Sequence, residues 1–124
     1  MILLIFSVAI GALMGFLVPV HISPEYTPYV AVGILAAIDS VFGGIAANYQ
    51  KMFNIQVFLS GFLCNACLAG LFTAFGNLLD VDLYLAAVVV FGTRLFQNLA
   101  TIRRYMINEW VTKRERKSEK NAGL

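Results

Sequence analysis

Four long apolar runs, separated by short polar stretches, dominate the chain. No Asp, Glu, Lys or Arg occurs in residues 1–24 or in residues 52–79. Crossing a hydrocarbon core of about 30 Å takes about 20 helical residues, so runs of this length are sufficient. A surface helix of a soluble protein would carry a polar face, which these runs lack. The pattern predicts an all-α, polytopic membrane protein.

The polar breaks between the runs set the ends of four predicted helices. These helices cover residues 2–20, 29–49, 57–78 and 83 to about 120. Their connections are a turn-forming loop, a polar segment and a tight acidic turn, at residues 23–28, 48–56 and 80–82. We divide the chain into a four-helix transmembrane domain, residues 1–106, and a basic cytoplasmic tail, residues 107–124.

Charge distribution predicts the direction of the helices. The loops at 23–28 and 80–82 contain acidic residues and no Lys or Arg, whereas Lys51 and the segment after residue 102 are basic. Cytoplasmic flanks of membrane proteins collect Lys and Arg. Four spans place both acidic loops on one side and both basic segments on the other. We therefore expect a four-transmembrane-helix bundle with both termini in the cytoplasm.

Composition agrees with this assignment and isolates the tail. Only 13% of the residues are charged, against roughly a quarter in soluble domains, and the net charge is +2. The basic residues after residue 102 are Arg103, Arg104, Lys113, Arg114, Arg116, Lys117 and Lys120. Because they directly follow an apolar helix, we expect them to enforce topology, to attract anionic lipids of the bilayer, or to bind an acidic partner. Nucleic-acid proteins usually place such a patch on a folded reader, so no nucleic-acid partner is expected.

Two charged residues lie inside the predicted spans. Asp39 follows Tyr29 by ten residues, and Arg94 follows Tyr84 by ten, which puts each about 15 Å below the outer interface. Ionisable groups at that depth usually face the bundle interior, and an acid and a base relieve each other's desolvation cost. We expect them to pair within a polar network that also includes Asn65, Gln97 and Asn98. The pair is either an interhelical staple or a site for an ion, a proton or a polar lipid head group.

Residue spacing predicts which helix faces point inward. The expected inward stripe on the second helix is Val32, Ala36, Asp39, Gly43 and Ala47. The expected stripe on the fourth helix is Ala87, Val90, Arg94, Gln97, Asn98 and Thr101. Small residues let membrane helices approach closely, and the glycines assigned to such packing are Gly11, Gly15, Gly43, Gly44 and Gly61.

Groups that could carry chemistry are sparse. Cys64 and Cys67 form a C-x-x-C within an apolar run, where burial works against the thiolate that redox chemistry needs, so we interpret them as packing residues. The single histidine, His21, lies in a loop. No nucleophile–base set and no glycine-rich phosphate loop accompanies these residues. We therefore expect no enzymatic activity, no cofactor and no metal.

Several segments resemble the small basic protein family of bacterial membrane proteins. They are residues 34–45, 57–62 with Asn65, 80–87, 91–100 and 102–104. The resemblance implies a short multi-pass protein of the bacterial cytoplasmic membrane without an assigned biochemical function. Genes of this family often lie beside cell-division and cell-wall genes in Gram-positive bacteria. A basic residue often follows Gly-Gly-Ile in the family, whereas this chain has Ala46 and Ala47 there.

Two functions from different classes fit these observations. The first is a non-enzymatic adaptor or scaffold, accessory to cell division or cell-wall synthesis, that binds other envelope membrane proteins through its helix faces and basic tail. The alternative is a small transporter or transport subunit with Asp39 and Arg94 at the substrate site. A homo-oligomer is compatible with either.

Overall fold

A computed structural model describes residues 2–123, apart from the side chain of Leu4. Its four α-helices are α1 (Ile2–Leu17), α2 (Thr27–Tyr49), α3 (Ile55–Leu79) and α4 (Tyr84–Asn121), and a 3-10 turn (Pro24–Tyr26) leads into α2. No strand occurs among the described residues, which confirms the all-α prediction. Each of α2, α3 and α4 is long and apolar enough to cross a membrane.

Proline placement explains where two helices differ from the prediction. α1 ends at Leu17, three residues early, because the residue before a proline is disfavoured in helical conformation and Pro19 has no N–H to donate. α2 begins at Thr27, two residues early, with Pro28 in its first turn. Proline is favoured there because its fixed φ suits a helix and its missing N–H would have no helical partner. Pro28 therefore starts the helix and does not belong to the loop.

Local side chains and a glycine define both ends of α3. Asn54 caps its start, its side-chain oxygen accepting from the N–H groups of Gln56 (2.8 Å) and Val57 (3.3 Å). At the other end Asp80 takes a left-handed conformation (φ 55°), and the chain folds back over Gly76. A Cβ on Gly76 would lie 2.5 Å from the carbonyl oxygen of Val81, so this tight turn requires glycine.

Three helices form the packed body of the molecule. α2 packs against both α3 and α4, which contact each other less extensively. The core between them is made of Val32, Ala36, Ala69, Ala87 and Phe91. Three alanines in this set let the backbones approach closely around one large ring, as expected for helices that associate by van der Waals packing in lipid.

The first helix lies outside this body. Every residue of α1 whose side chain is described is exposed, and the 16-residue helix is shorter than the three apolar helices that follow. The compact four-helix bundle expected from sequence is therefore a three-helix body plus one unpacked helix in the described part of the chain. The count of four spans and their orientation stay predictions.

The fourth helix is much longer than a membrane crossing requires. α4 has 38 residues and extends about 28 Å past Ile102, the last buried residue. Every residue from Arg103 to Gly123 is exposed. The expectation that the tail continues the fourth helix is confirmed. The helix crosses the predicted domain boundary at 106/107 without a break. The transmembrane domain and the tail are therefore two parts of one continuous helix at this point.

Candidate functional site

Asp39 and Arg94 meet where α2 crosses α4. The Nη2 of Arg94 lies 3.3 Å from Oδ2 of Asp39. The carboxylate is completely buried, whereas 45% of the arginine side chain is exposed. Oδ2 has no aligned hydrogen bond within the described chain, so this contact is an ion pair of loose geometry. One partner is thus locked in the protein interior and the other lies at its edge.

The small-residue face of α2 explains why the carboxylate is buried. Ala36, one turn before Asp39, is fully buried in the core, and Ser40 next to the acid is also buried. One turn further on, a Cβ added to Gly43 would come 3.4 Å from Nδ2 of Asn98. Because no bulky side chain separates α2 from α4 here, Asp39 lies directly against α4 and within reach of Arg94.

One of the three predicted amides joins the pair directly. Asn98 Nδ2 donates to Oδ1 of Asp39 at 3.5 Å, the long limit for such a bond. Asn65 is half-buried on α3 and faces the same space as Arg94 and Asn98, although it makes no hydrogen bond within the described residues. Gln97 is exposed and lies away from the pair. A carboxylate can accept about four hydrogen bonds, so the polar set around Asp39 is sparsely satisfied.

A cavity of about 330 Å³ opens beside the pair, between α2, α3, α4 and the α2–α3 connection. Its polar lining consists of Ser40, Asn65, Arg94, Asn98 and, at the Lys51 end of the helices, Asn54. Aromatic and aliphatic side chains line much of the rest, among them Phe53, Phe58 and Phe62. The arrangement can hold a polar group against Arg94 while covering an apolar part of the same molecule.

The predicted packing glycines fall into two groups. Gly43 approaches Asn98, and a Cβ on Gly44 would come 3.1 Å from the Phe58 ring, so both lie in close helix contacts. A Cβ on Gly11, Gly15 or Gly61 would meet nothing within 4 Å in the described chain. These three therefore do not mediate helix packing here. For Gly11 and Gly15 the reason is that α1 is unpacked, and for Gly61 it is that the residue borders the cavity.

The inward face of α4 differs from the predicted stripe. It follows a seven-residue spacing through Tyr84, Phe91, Asn98 and Tyr105, with Ala87 and Ile102 alongside. Val90 and Gln97 are exposed, and Arg94 reaches Asp39 from the edge of this face. The predicted stripe was therefore wrong for Val90 and Gln97, whereas Ala87 and Asn98 do lie on the inward face. The large rings of Tyr84 and Phe91 belong to this face and were missed because the prediction followed small and polar residues.

Two contacts of tyrosine side chains, which the sequence does not predict, join helices at the two ends of the body. At one end Nδ2 of Asn77 on α3 donates to the hydroxyl of Tyr29 on α2 at 3.3 Å. At the other the rings of Tyr49 and Tyr105 join α2 to α4, with centroids 6.3 Å apart. No sequence pattern pairs these residues, which lie on different helices. Their interhelical contacts require the three-dimensional arrangement.

The remaining sequence-predicted groups lie far from the pair. Cys64 and Cys67 are free thiols on the exposed surface of α3, so they are not packing residues within the described chain. The basic residues of the tail are all exposed along the end of α4, where the Arg114 guanidinium lies 4.8 Å from the centre of the Trp110 ring. Among the described residues, no cluster of three or more His, Cys, Asp or Glu could hold a metal ion.

Comparisons with known proteins connect this geometry to a family. Residues 22–107, which include α2, α3 and the whole packed part of α4, match the family described as protein of unknown function DUF1290. The chain is 39% identical over 113 residues to a small basic protein of Bacillus subtilis, covering 91% of this chain and 93% of the relative. It is 34% identical over 100 residues to uncharacterized proteins of Mycobacterium bovis and Mycobacterium tuberculosis, covering 79% of this chain and 83% of each.

No solved structure matches the chain. The matched region contains both members of the charge pair and all three amides, whereas α1 and most of the exposed end of α4 lie outside it. The apolar helices, the match over residues 22–107 and the Bacillus relative lead to one assignment: the chain belongs to the small basic protein family, DUF1290.

Proposed function

We propose that this protein is a non-enzymatic, multi-pass adaptor of the bacterial cytoplasmic membrane that binds other envelope membrane proteins through the exposed end of α4. In this proposal all four helices cross the bilayer and both termini lie in the cytoplasm. The role is accessory to cell division or cell-wall synthesis, as the genomic context of the resembled family implies.

The observation that carries the proposal is the exposed end of α4, from Arg103 to Asn121. Apart from the Tyr105 ring, which lies against Tyr49 of α2, it packs against nothing in the rest of the described chain. No ion pair within 4.0 Å occurs in this segment, and its like charges Arg116 and Lys120 lie four residues apart, a destabilising spacing on a helix. Most helical stability in proteins comes from tertiary packing, so a surface that covers this segment would stabilise it.

The segment has the composition of a binding element. Near the body it presents the exposed apolar side chains Met106, Ile107, Trp110 and Val111. Beyond residue 112 it carries five basic residues against two glutamates. Partner helices and acidic surfaces recognise such combinations of an apolar face and positive charge, while anionic lipids attract the same charges at about 1 kcal/mol each.

The proposal is tested by neutralising the tail charges without shortening the chain. The tail variant replaces Lys113, Arg114, Arg116, Lys117 and Lys120 by Gln. The matched control replaces Glu109, Glu115 and Glu119 by Gln, which keeps helix propensity and every positive charge. Each chain, fused to a fluorescent protein at its N-terminus, is imaged in dividing cells and cross-linked to its membrane neighbours.

We expect septal enrichment and cross-linked partners for the wild type and the control. The tail variant should lose most of both while its amount in the membrane fraction stays unchanged. An even distribution of the wild type around the cell would contradict the division role. Unchanged partners in the tail variant, together with solute flux in reconstituted vesicles, would favour the alternative of a small transporter using Asp39 and Arg94.

A further inference from the structure

The charged lining of the cavity beside Arg94 is basic, which favours an anionic ligand. Of its lining residues, Arg94 is the only charged one, and Asp39 lies completely buried behind the wall. Arginine has five N–H donors in a planar fork, and the described chain supplies a single ionic partner at Nη2. Donors of the guanidinium therefore remain for a ligand in the cavity that Arg94 lines. The amides of Asn65 and Asn98 and the hydroxyl of Ser40 surround the same space.

We propose that this cavity binds an oxyanion, a phosphate or a carboxylate, with Arg94 as its main ligand. A guanidinium matches such groups with two parallel charge-assisted hydrogen bonds, which are about twice as strong as neutral ones. Asp39 contacts the fork at Nη2 alone, which leaves the other N–H groups of the guanidinium for a ligand. The fully buried carboxylate thus positions Arg94 and does not line the binding site. No residue of the exposed end of α4 lines this site, so oxyanion binding does not depend on the adaptor function.

The size and the apolar lining define what can carry the oxyanion. At about 330 Å³ the cavity is at the small end of ligand pockets. It extends from Arg94 towards Met52 and Phe53 in the α2–α3 connection, where the predicted cytoplasmic interface lies. Free phosphate from the cytoplasm and the phosphodiester of an anionic phospholipid both present the required chemistry.

The chain offers a cavity-filling variant with a matched control. Gly61 on α3 borders the cavity between the lining residues Phe58 and Asn65, and a Cβ there would meet nothing within 4 Å. We therefore expect the leucine of Gly61→Leu to extend into the cavity and to leave the Asp39–Arg94 pair in place. Gly70 on the same helix also has open space beside it but does not border the cavity. Gly70→Leu therefore makes the same substitution outside the site. Arg94→Lys keeps the positive charge but loses the fork, and Arg116→Gln removes one charge from the exposed tail.

Binding is measured on the full-length protein in dodecylmaltoside. One arm follows radiolabelled inorganic phosphate by equilibrium dialysis, and the other follows phosphatidylglycerol by native mass spectrometry. We expect saturable, one-to-one binding in at least one arm. Gly61→Leu and Arg94→Lys should each lower the affinity at least tenfold, whereas Gly70→Leu and Arg116→Gln should change it less than twofold.

The two arms distinguish the source of the oxyanion. Binding of phosphate alone identifies a soluble ligand, and binding of phosphatidylglycerol alone identifies a lipid ligand. The proposal is overturned if neither probe binds, or if Gly61→Leu binds as tightly as the wild type while retaining wild-type thermal stability. A Gly61→Leu protein with reduced stability is replaced by Asn65→Leu, which removes a lining amide, and the same tenfold loss is required.

Discussion

At the scale of single residues, the charge pair is asymmetric, and its asymmetry decides what each substitution does. Asp39 is completely enclosed, while nearly half of the Arg94 side chain is exposed. A long arginine side chain can carry its charge towards a polar surface when its partner is lost. A short aspartate on a closely packed helix cannot. The cost of an unpaired charge therefore falls mainly on Asp39.

The two single substitutions at the pair are expected to differ. Arg94→Gln leaves a buried carboxylate without its cation and should lower the free energy of unfolding by about 3 kcal/mol, as for other broken buried pairs. Asp39→Asn should cost about 1 kcal/mol, because Asn98 can still donate to the remaining oxygen. The double variant should be more stable than Arg94→Gln alone. The free energy of unfolding of all three variants is measured in mixed micelles.

The exposed Arg104 on the same helix supplies the control. Arg104→Gln removes an equal charge outside the body and should change stability by less than about 0.5 kcal/mol. If the effects of Asp39→Asn and Arg94→Gln simply add in the double variant, the residues are not energetic partners. A double variant that is stable but does not bind an oxyanion would show that the charged pair is needed for ligand binding and not for stability.

At the scale of helices, the ends of the helices were predicted more accurately than their inward faces. The ends of α2 and α3 lie within two residues of their predicted positions, because prolines, Asn54 and Asp80 impose local rules that act through neighbouring residues. The faces are harder to predict because transmembrane helices are apolar on all sides, so hydrophobicity does not separate core from lipid. Polar residues were the remaining guide, and on α4 they are divided: Asn98 lies in the contact, Arg94 at its edge and Gln97 outside it.

The corrected face of α4 predicts opposite outcomes for two phenylalanines. Phe91 is 4% exposed in the core, whereas Phe96, little more than one turn later, is 75% exposed. Phe91→Ala should destabilise the body by at least about 2 kcal/mol, since it leaves a cavity among small residues that cannot fill it. Phe96→Ala removes the same atoms from the surface and should cost less than about 0.5 kcal/mol. Equal losses for the two variants in micelle unfolding would contradict the assigned face.

At the scale of the whole molecule, α1 is the element whose place the sequence did not settle. Its 16 residues extend about 24 Å, less than the hydrocarbon core, so a crossing would also need the segment from Val18 to Ile22 in an extended form. Its sequence reads as a span because every residue is apolar or small. Packing depends on a complementary partner surface, which hydrophobicity alone does not encode.

The position of the N-terminus therefore tests the architecture more sharply than any loop. If α1 crosses the bilayer, the two termini lie on the same side, and if it does not, they lie on opposite sides. The segregation of Lys and Arg predicts that both are cytoplasmic. Single cysteines are introduced into a background lacking Cys64 and Cys67, at Ser23, Met52, Val81 and Ser118 and in a short N-terminal extension. These sites alter no charged residue, so the determinants of orientation are preserved.

Labelling with a membrane-impermeant maleimide gives a distinct pattern for each topology. With four spans, Ser23→Cys and Val81→Cys react in intact cells, while Met52→Cys, Ser118→Cys and the N-terminal cysteine react only after permeabilisation. With three spans, the N-terminal cysteine also reacts in intact cells, because α1 then lies on the outer side beside Ser23. Reaction of Ser118→Cys in intact cells would contradict both, since it would place the basic end of α4 outside the cytoplasm and remove the surface on which the adaptor proposal rests.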